Sequence, residues 1–259
     1  MPNDAPPPLV LLHAFPLDSR MFDRIRNALP GIDLITPDQR GFGSASIVDD
    51  DGTEPAPDLA RVADDVRTLM DTRGIERAVV GGVSMGGYVA LQFLARHPAR
   101  LAGLLLADTK AVADTAEQAA NRNSIADRAE AGEVPAGADL VAPLLGPAAS
   151  EQVRTLAAAL ADDAAPPAVA WAQRAMAVRP DSTDVLAAAV VPVLVVVGEH
   201  DTVTPPDGAR RMAEAARDAT FVQIAGAGHL TPLEDPAAFA ATVRDWIKAQ
   251  SSTLAQWST

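Results

Sequence analysis

The chain has 259 residues, about half of them apolar, and no cysteine, so disulfides, thiolate catalysis and cysteine-based metal sites are excluded. Only 4% of residues are aromatic, so a core must be filled mainly by Ala, Val and Leu. The net charge of −13 argues against a nucleic-acid or anionic-membrane partner, since both demand a basic face. No basic n-region with a long apolar run follows Met1, and no stretch approaches the roughly 18 apolar residues of a membrane span. A cytoplasmic protein is the expectation.

In chain order, Leu9-Val10-Leu11-Leu12 reads as a buried strand ending in a loop, His13-Ala14-Phe15-Pro16. Ser19 is placed to cap a helix from about Arg20 to Leu29. Asp33 to Thr36 reads as a second strand, and residues 46–57, rich in Asp, Gly and Pro, as an exposed loop. Asp58 to Arg73 carries Leu59, Val62, Val66, Leu69 and Met70 at helical spacing. The stretch Ala78 to Leu94 then reads as strand, sharp turn and helix, with Ser84 at the apex and Gly82 and Gly86 flanking it. A serine at such a turn needs small neighbours, and the helix N-terminus behind it favours negative charge. Leu101 to Ala107 is another apolar strand, closed by Asp108.

Composition changes near Thr109. Residues 109–189 are Ala-rich, helical in pattern and interrupted by Pro and Gly. Alternation then resumes with a strand from Pro192 to Val197, a helix from Asp207 to Arg217, a strand from Thr220 to Ile224 and a helix from Asp235 to Gln250. Near-continuous apolar strands alternating with helices imply a parallel sheet covered on both faces, with functional groups at the C-terminal strand ends.

Three polar residues follow strands in the order Ser84, Asp201, His229. A serine hydroxyl needs a base within hydrogen-bond reach, and the base needs a carboxylate to fix its tautomer. Among the four histidines, His97 closes a helix before Pro98, His13 precedes the loop at residue 15, and His200 adjoins the candidate acid. His229 alone lies on a Gly-flanked loop after a late strand, and is taken as the base. Asp201 is the favoured carboxylate, with Glu199 supporting its loop. Asp108 is the rival, its alternative role being to cap the first helix of the 109–189 region. The backbone N–H groups of Met85 and Phe15 are the expected oxyanion donors.

The motifs His13–Pro16, Asp38–Ser44, Gly82–Gly86, Gly198–Asp201 and Gly226–His229 together resemble those of the α/β-hydrolase fold over essentially the whole chain. The resemblance implies a three-layer α/β fold with about six mainly parallel strands, lacking the edge hairpin of larger members. Its core would comprise residues 1–108 and 190–259, with 109–189 inserted as a helical cap. Ala14 departs from the family's usual Gly. The runs HAFPLDSRMF, GVSMGGYVAL and LLLADTKA resemble small bacterial carboxylesterases and 3-oxoadipate enol-lactonase-like proteins. The implied activity is hydrolysis of small carboxylic esters or lactones through an acyl-enzyme, without cofactor or metal. Cofactor-free perhydrolases, C–C bond hydrolases and non-catalytic ligand-binding homologues share the motifs. Trp171, Met176 and Arg174 are the candidate pocket residues, with ordinary packing of the 109–189 region the alternative for Trp171 and Met176. An enol-lactonase-like activity implies a group for a substrate carboxylate, for which Arg174 or Arg179 is the candidate, against the favoured alternative of a surface arginine. Oligomeric state is not legible.

Overall fold

A computed structural model describes residues 6–250. Six strands, β1 (Leu9–Leu12), β2 (Leu34–Ile35), β3 (Ala78–Val83), β4 (Leu101–Ala107), β5 (Val193–Gly198) and β6 (Ala219–Ile224), form one parallel sheet in the order β2-β1-β3-β4-β5-β6. Every residue of β1, β3, β4 and β5 is buried, as expected of strands covered on both sides. Alternate side chains part to opposite faces: Val10, Leu12, Val80, Leu104, Leu106, Val195 and Val197 pack on one, Leu9, Leu11, Val79, Leu105, Leu194 and Val196 on the other. Residue period two thus builds two cores from one sheet.

The first face is covered by α2 (Leu59–Thr72), capped by Asp58, and by α3 (Met85–Arg96). The second is covered by a short 3-10 turn (Ser19–Phe22) and α1 (Asp23–Arg26) from one end of the chain. The expected single helix from Arg20 to Leu29 is therefore split, and its cap is Asp18, whose carboxylate accepts the Arg20 N–H at 2.9 Å, not Ser19. Ser19 instead turns its own N–H to Asp38 at 2.9 Å. Strand β2 is two residues long, shorter than the pattern from Asp33 to Thr36.

Between β4 and β5 lie α4 (Ala116–Glu130), α5 (Gly137–Val141), α6 (Glu151–Asp162), α7 (Pro166–Ala177) and α8 (Thr183–Ala187). They do not pack as one lobe. Trp171, Ala175 and Met176 of α7 and Leu186 of α8 join the first core, whereas Val141 of α5 and Val153, Ala157 and Leu160 of α6 join the second. The inserted helices thus divide their apolar side chains between the two cores. The chain closes with α9 (Pro206–Ala215), α10 (Thr231–Glu234) and α11 (Pro236–Ala249), the last burying Phe239, Val243, Trp246 and Ile247. Among the described residues no helix is long and apolar enough to cross a membrane.

Candidate active site

Ser84 joins β3 to α3 with φ 54° and ψ −111°, a conformation that costs a non-glycine residue on the order of 1–3 kcal/mol. Its surroundings hold it there. The Ser84 N–H donates to the Ala107 carbonyl at 2.9 Å, and its own carbonyl accepts from Gly87 N–H, Tyr88 N–H and the Thr109 hydroxyl at 3.0, 3.2 and 2.8 Å. The flanking glycines are demanded by close approach: a methyl on Gly82 would collide with the Gly86 carbonyl group, and one on Gly86 with the carbonyl of Leu12.

The Ser84 Oγ lies 2.8 Å from His229 Nε2, and His229 Nδ1 lies 2.8 Å from Asp201 Oδ2. Residues far apart in sequence thus form one hydrogen-bonded chain, and both His229 and Asp201 are buried. Asp201 follows β5, and its Oδ1 accepts from the backbone N–H groups of Val203 and Thr204 at 2.8 and 2.9 Å. The Thr204 hydroxyl donates to Asp201 Oδ2 at 2.7 Å. Burial pushes the Asp201 carboxyl upward, but the hydrogen bond and charge of His229 and the Thr204 donors outweigh it, so it lies below the usual carboxylate range. An ionised Asp201 keeps the proton on Nδ1 and leaves Nε2 as acceptor for the serine hydroxyl.

The loops that carry Asp201 and His229 are pressed together. A methyl on Gly198 would strike the carbonyls of Gly228 and Ala227, and Glu199 Oε2 accepts the Gly226 N–H at 2.8 Å. Two carboxylates that motif spacing does not single out for this task hold the His229 loop. Glu234 accepts the N–H groups of Gly228 and Leu230, on either side of His229, both at 3.0 Å, and the Gly146 N–H at 2.7 Å. The Leu144 carbonyl accepts the His229 N–H at 2.7 Å, so the inserted segment reaches the His229 loop directly.

Asp108 is the second of these carboxylates, and it caps no helix. Thr115 caps α4 in a reciprocal capping box with Gln118. Asp108 instead accepts the Gly198 N–H at 3.0 Å through Oδ1, and the Thr231 N–H and hydroxyl at 3.0 and 2.7 Å through Oδ2. It bridges the Asp201 and His229 loops without a hydrogen bond to His229. Burial, and then the charge of Asp201, push its carboxyl well above the usual range.

The loop after β1 runs beside the serine turn, since β1 pairs with β3 through Leu12 and Gly82. His13 is fully buried; its Nε2 accepts the Gln39 N–H at 2.9 Å while Gln39 Nε2 donates to the His13 carbonyl at 2.8 Å. Burial lowers the His13 pKa, and the neutral ring with hydrogen on Nδ1 fits these bonds. The N–H groups of Phe15 and Met85 find no protein acceptor among the described residues. The remaining histidines stand elsewhere: His97 caps α3 and meets Asp64 at 2.7 Å, and His200 is exposed.

The four residues considered for a substrate pocket have different surroundings. Trp171 donates its indole N–H to the Pro55 carbonyl at 3.0 Å, and with Arg174 it lines a cleft of about 520 Å³ that Glu54 and Pro57 also line. Arg174 is committed to Asp127 and Glu130 of α4, each at 2.9 Å. Arg179 is buried against Asp114 and the carbonyls of Met176 and Val112. Met176 is buried, with its sulfur 3.4 Å from Arg122.

A family model described as the alpha/beta hydrolase fold matches residues 7–236. The chain is 30% identical over 233 residues to the AB hydrolase superfamily protein YisY of Bacillus subtilis, covering 86% of this chain and 84% of that one. Among solved structures, a thermophilic esterase from Thermogutta terrifontis with malate bound superimposes with TM-score 0.87 at 36% identity, covering 93% of this chain and 89% of the esterase. The enol-lactonase from Burkholderia xenovorans superimposes with TM-score 0.82 at 27% identity, covering 93% and 92%.

Proposed function

For this chain, which belongs to the α/β-hydrolase fold family, we propose hydrolysis of small carboxylic esters or lactones through an acyl-enzyme. One observation carries the reading: the unbroken hydrogen-bonded chain from Ser84 Oγ through both nitrogens of His229 to Asp201, with a 2.8 Å step at each end. The similarity to an esterase and an enol-lactonase supports the choice of bond.

In this scheme His229 Nε2 takes the hydroxyl proton as Ser84 Oγ adds to the substrate carbonyl carbon. The carbonyl oxygen becomes an oxyanion, which the N–H groups of Phe15 and Met85 stabilise, aided by the N-terminus of α3. Collapse breaks the bond to the leaving oxygen, which receives the proton from His229. Water then adds to the acyl-serine by the same route, releasing the acid and restoring the serine. The buried Asp201 stays ionised and stabilises the imidazolium in both halves.

The test is a screen of purified protein against short-chain esters, γ-lactones and enol-lactones, beside labelling by a fluorophosphonate probe. The expected result is turnover of at least one class and a single label on Ser84, both lost in Ser84→Ala. Turnover by a folded Ser84→Ala protein would overturn the assignment. A peroxide-dependent halogenation arm separates hydrolysis from perhydrolysis, which needs the same three residues.

A further inference from the structure

The Phe15 N–H serves as an oxyanion donor only if the peptide that carries it is held in one orientation. That peptide joins Ala14 to Phe15, so its other polar atom is the Ala14 carbonyl oxygen, which points the opposite way in the same plane. Whatever fixes the oxygen therefore aims the hydrogen. The Ala14 oxygen lies 2.9 Å from the Leu17 nitrogen and 3.1 Å from His13 Nδ1. The Leu17 contact is the ordinary closure of a four-residue turn. The imidazole contact holds in one tautomer only, the one with hydrogen on Nδ1.

Gln39 dictates that tautomer. Its backbone N–H, with the nitrogen 2.9 Å from His13 Nε2, can only donate, so Nε2 accepts and the ring hydrogen stands on Nδ1, facing the Ala14 carbonyl. The Gln39 side chain adds a second hold, its Nε2 donating to the His13 carbonyl at 2.8 Å. A reversed amide would set two oxygens against each other, so the orientation is fixed, and it leaves Gln39 Oε1 buried without a hydrogen-bond partner. A buried polar group left unpaired calls for a reason. Here the amide is oriented by His13 and not by its own full pairing.

Phe42 completes the support, meeting the His13 ring edge-on at 5.4 Å and the Phe15 ring at 6.1 Å. His13, Gln39 and Phe42 are all buried, so water does not compete for these contacts. The links run without a break from Gln39 to the imidazole, from the imidazole to the Ala14 carbonyl, and through one peptide plane to the Phe15 N–H.

We propose that His13, locked by Gln39, is a positioning residue for the oxyanion hole, its Nδ1–H holding the Ala14 carbonyl and thereby aiming and polarising the Phe15 N–H. A hydrogen bond accepted by a peptide carbonyl draws electrons from the peptide nitrogen and strengthens its N–H as a donor. His13 itself touches no reacting atom. The assignment rests on the serine-hydrolase reading above, since it is the oxyanion formed at Ser84 that needs this donor.

Two amide substitutions separate the two ring nitrogens. In His13→Asn the amide nitrogen stands as many bonds from Cβ as Nδ1 and keeps a donor for the Ala14 carbonyl. In His13→Gln the amide stands where Nε2 did, so its oxygen accepts the Gln39 N–H and no donor reaches Ala14. Each variant loses one ring contact, yet only the second should injure catalysis. On a nitrophenyl ester, kcat of His13→Gln should fall about 10–100-fold with KM within about threefold, a fraction of the roughly 10²–10³-fold that loss of a whole oxyanion donor costs. His13→Asn should stay within about fivefold of wild type.

A trifluoromethyl ketone gives a readout that general damage to the fold would not. Ser84 Oγ adds to its carbonyl carbon, His229 takes the serine proton, and the carbonyl oxygen becomes an oxyanion; the matching methyl ketone binds without adding. In His13→Gln the Ki of the trifluoromethyl ketone should rise by the factor lost in kcat, and that of the methyl ketone should stay within about threefold. Equal losses in the two variants, wild-type kcat in His13→Gln, or parallel weakening of both ketones would overturn the proposal. Nitrogen-15 NMR of the unaltered protein decides if neither variant folds: neutral His13 should carry its hydrogen on Nδ1, and a hydrogen on Nε2 would overturn the link. If the wild-type protein neither hydrolyses esters nor prefers the trifluoromethyl ketone, the serine-hydrolase reading fails on that result, while the tautomer still reports on His13.

Discussion

Replacing Asp201 by Asn substitutes one NH2 for one oxygen, and the structure says which contacts survive. The side-chain oxygen can still accept the Val203 and Thr204 N–H groups, now held at 2.8 and 2.9 Å, so the loop keeps its turn. The new NH2 then faces His229 Nδ1, at the position where the carboxylate oxygen lies 2.8 Å away. Nδ1 must become an acceptor, the ring proton moves to Nε2, and Nε2 presents a hydrogen to Ser84 Oγ instead of a lone pair. That inversion of tautomer lowers turnover by about 10⁴ where it has been measured in a Ser-His-Asp enzyme. A factor of 10⁴ corresponds to about 5.5 kcal/mol of activation free energy. Asp108→Asn is the matched control. It loses an acceptor for either Gly198 N–H or Thr231, but no contact with the ring. It should therefore destabilise the fold by roughly 1–3 kcal/mol while leaving turnover within about tenfold. Steady-state kinetics on a nitrophenyl ester, with a denaturant melt of each variant, gives both numbers. A 10⁴-fold loss in Asp108→Asn with a mild effect in Asp201→Asn would refute the reasoning and move the acid to β4.

Three further outcomes follow from other parts of the structure. Ser84→Gly removes the side chain from a residue at φ 54°, so it should be about 1 kcal/mol more stable than Ser84→Ala by urea unfolding; equal stability would mean the turn is unstrained. Gly198→Ala drives a methyl into the Gly228 carbonyl, and it should separate the Asp201 and His229 loops and lower kcat more than KM, whereas a variant with wild-type kcat would show that the loops can part without cost. His13 is held neutral, its pKa lowered by burial from 6.5, so the unfolded chain binds its proton first as pH falls. Its contribution is present above pH 6.5 and is lost as pH falls from there through the lower folded pKa, at up to about 1.4 kcal/mol per pH unit. Urea midpoints of wild type and His13→Gln, measured across that window, should converge on acidification; parallel curves would show that His13 is not the group responsible.

Much of the fold is legible because its signals are local. The apolar runs at residues 9–12, 101–107 and 193–197 have no polar face, so each must be buried on both sides, and that requirement alone implies a parallel sheet covered by helices. The short elements were harder to read. Residues 19–26 split into a 3-10 turn and one α turn because Asp18 and Asp38, from different segments, claim the N–H groups of Arg20 and Ser19. The inserted helices have apolar positions, but periodicity does not say which core these join, and they divide between the two.

The same division holds at the site. Sequence alone determined that a serine stands at a strand-to-helix turn, because only Gly82 and Gly86 allow the backbones there to approach so closely, and that an aspartate and a histidine follow later strands. It favoured Asp201 as the carboxylate but left Asp108 as a rival. Both follow strands that pair side by side, with Ala107 opposite Val196, and strand ends alone leave either carboxylate within reach. The loops beyond those strand ends make the difference. Asp108 turns down onto Gly198 and Thr231, whereas Asp201 is lifted by the turn at Val203 and Thr204 to face the imidazole. Nor could sequence say whether Arg174 and Arg179 are free: Arg174 pairs with Asp127 and Glu130 and Arg179 with Asp114, carboxylates from loops and helices that only tertiary packing brings together.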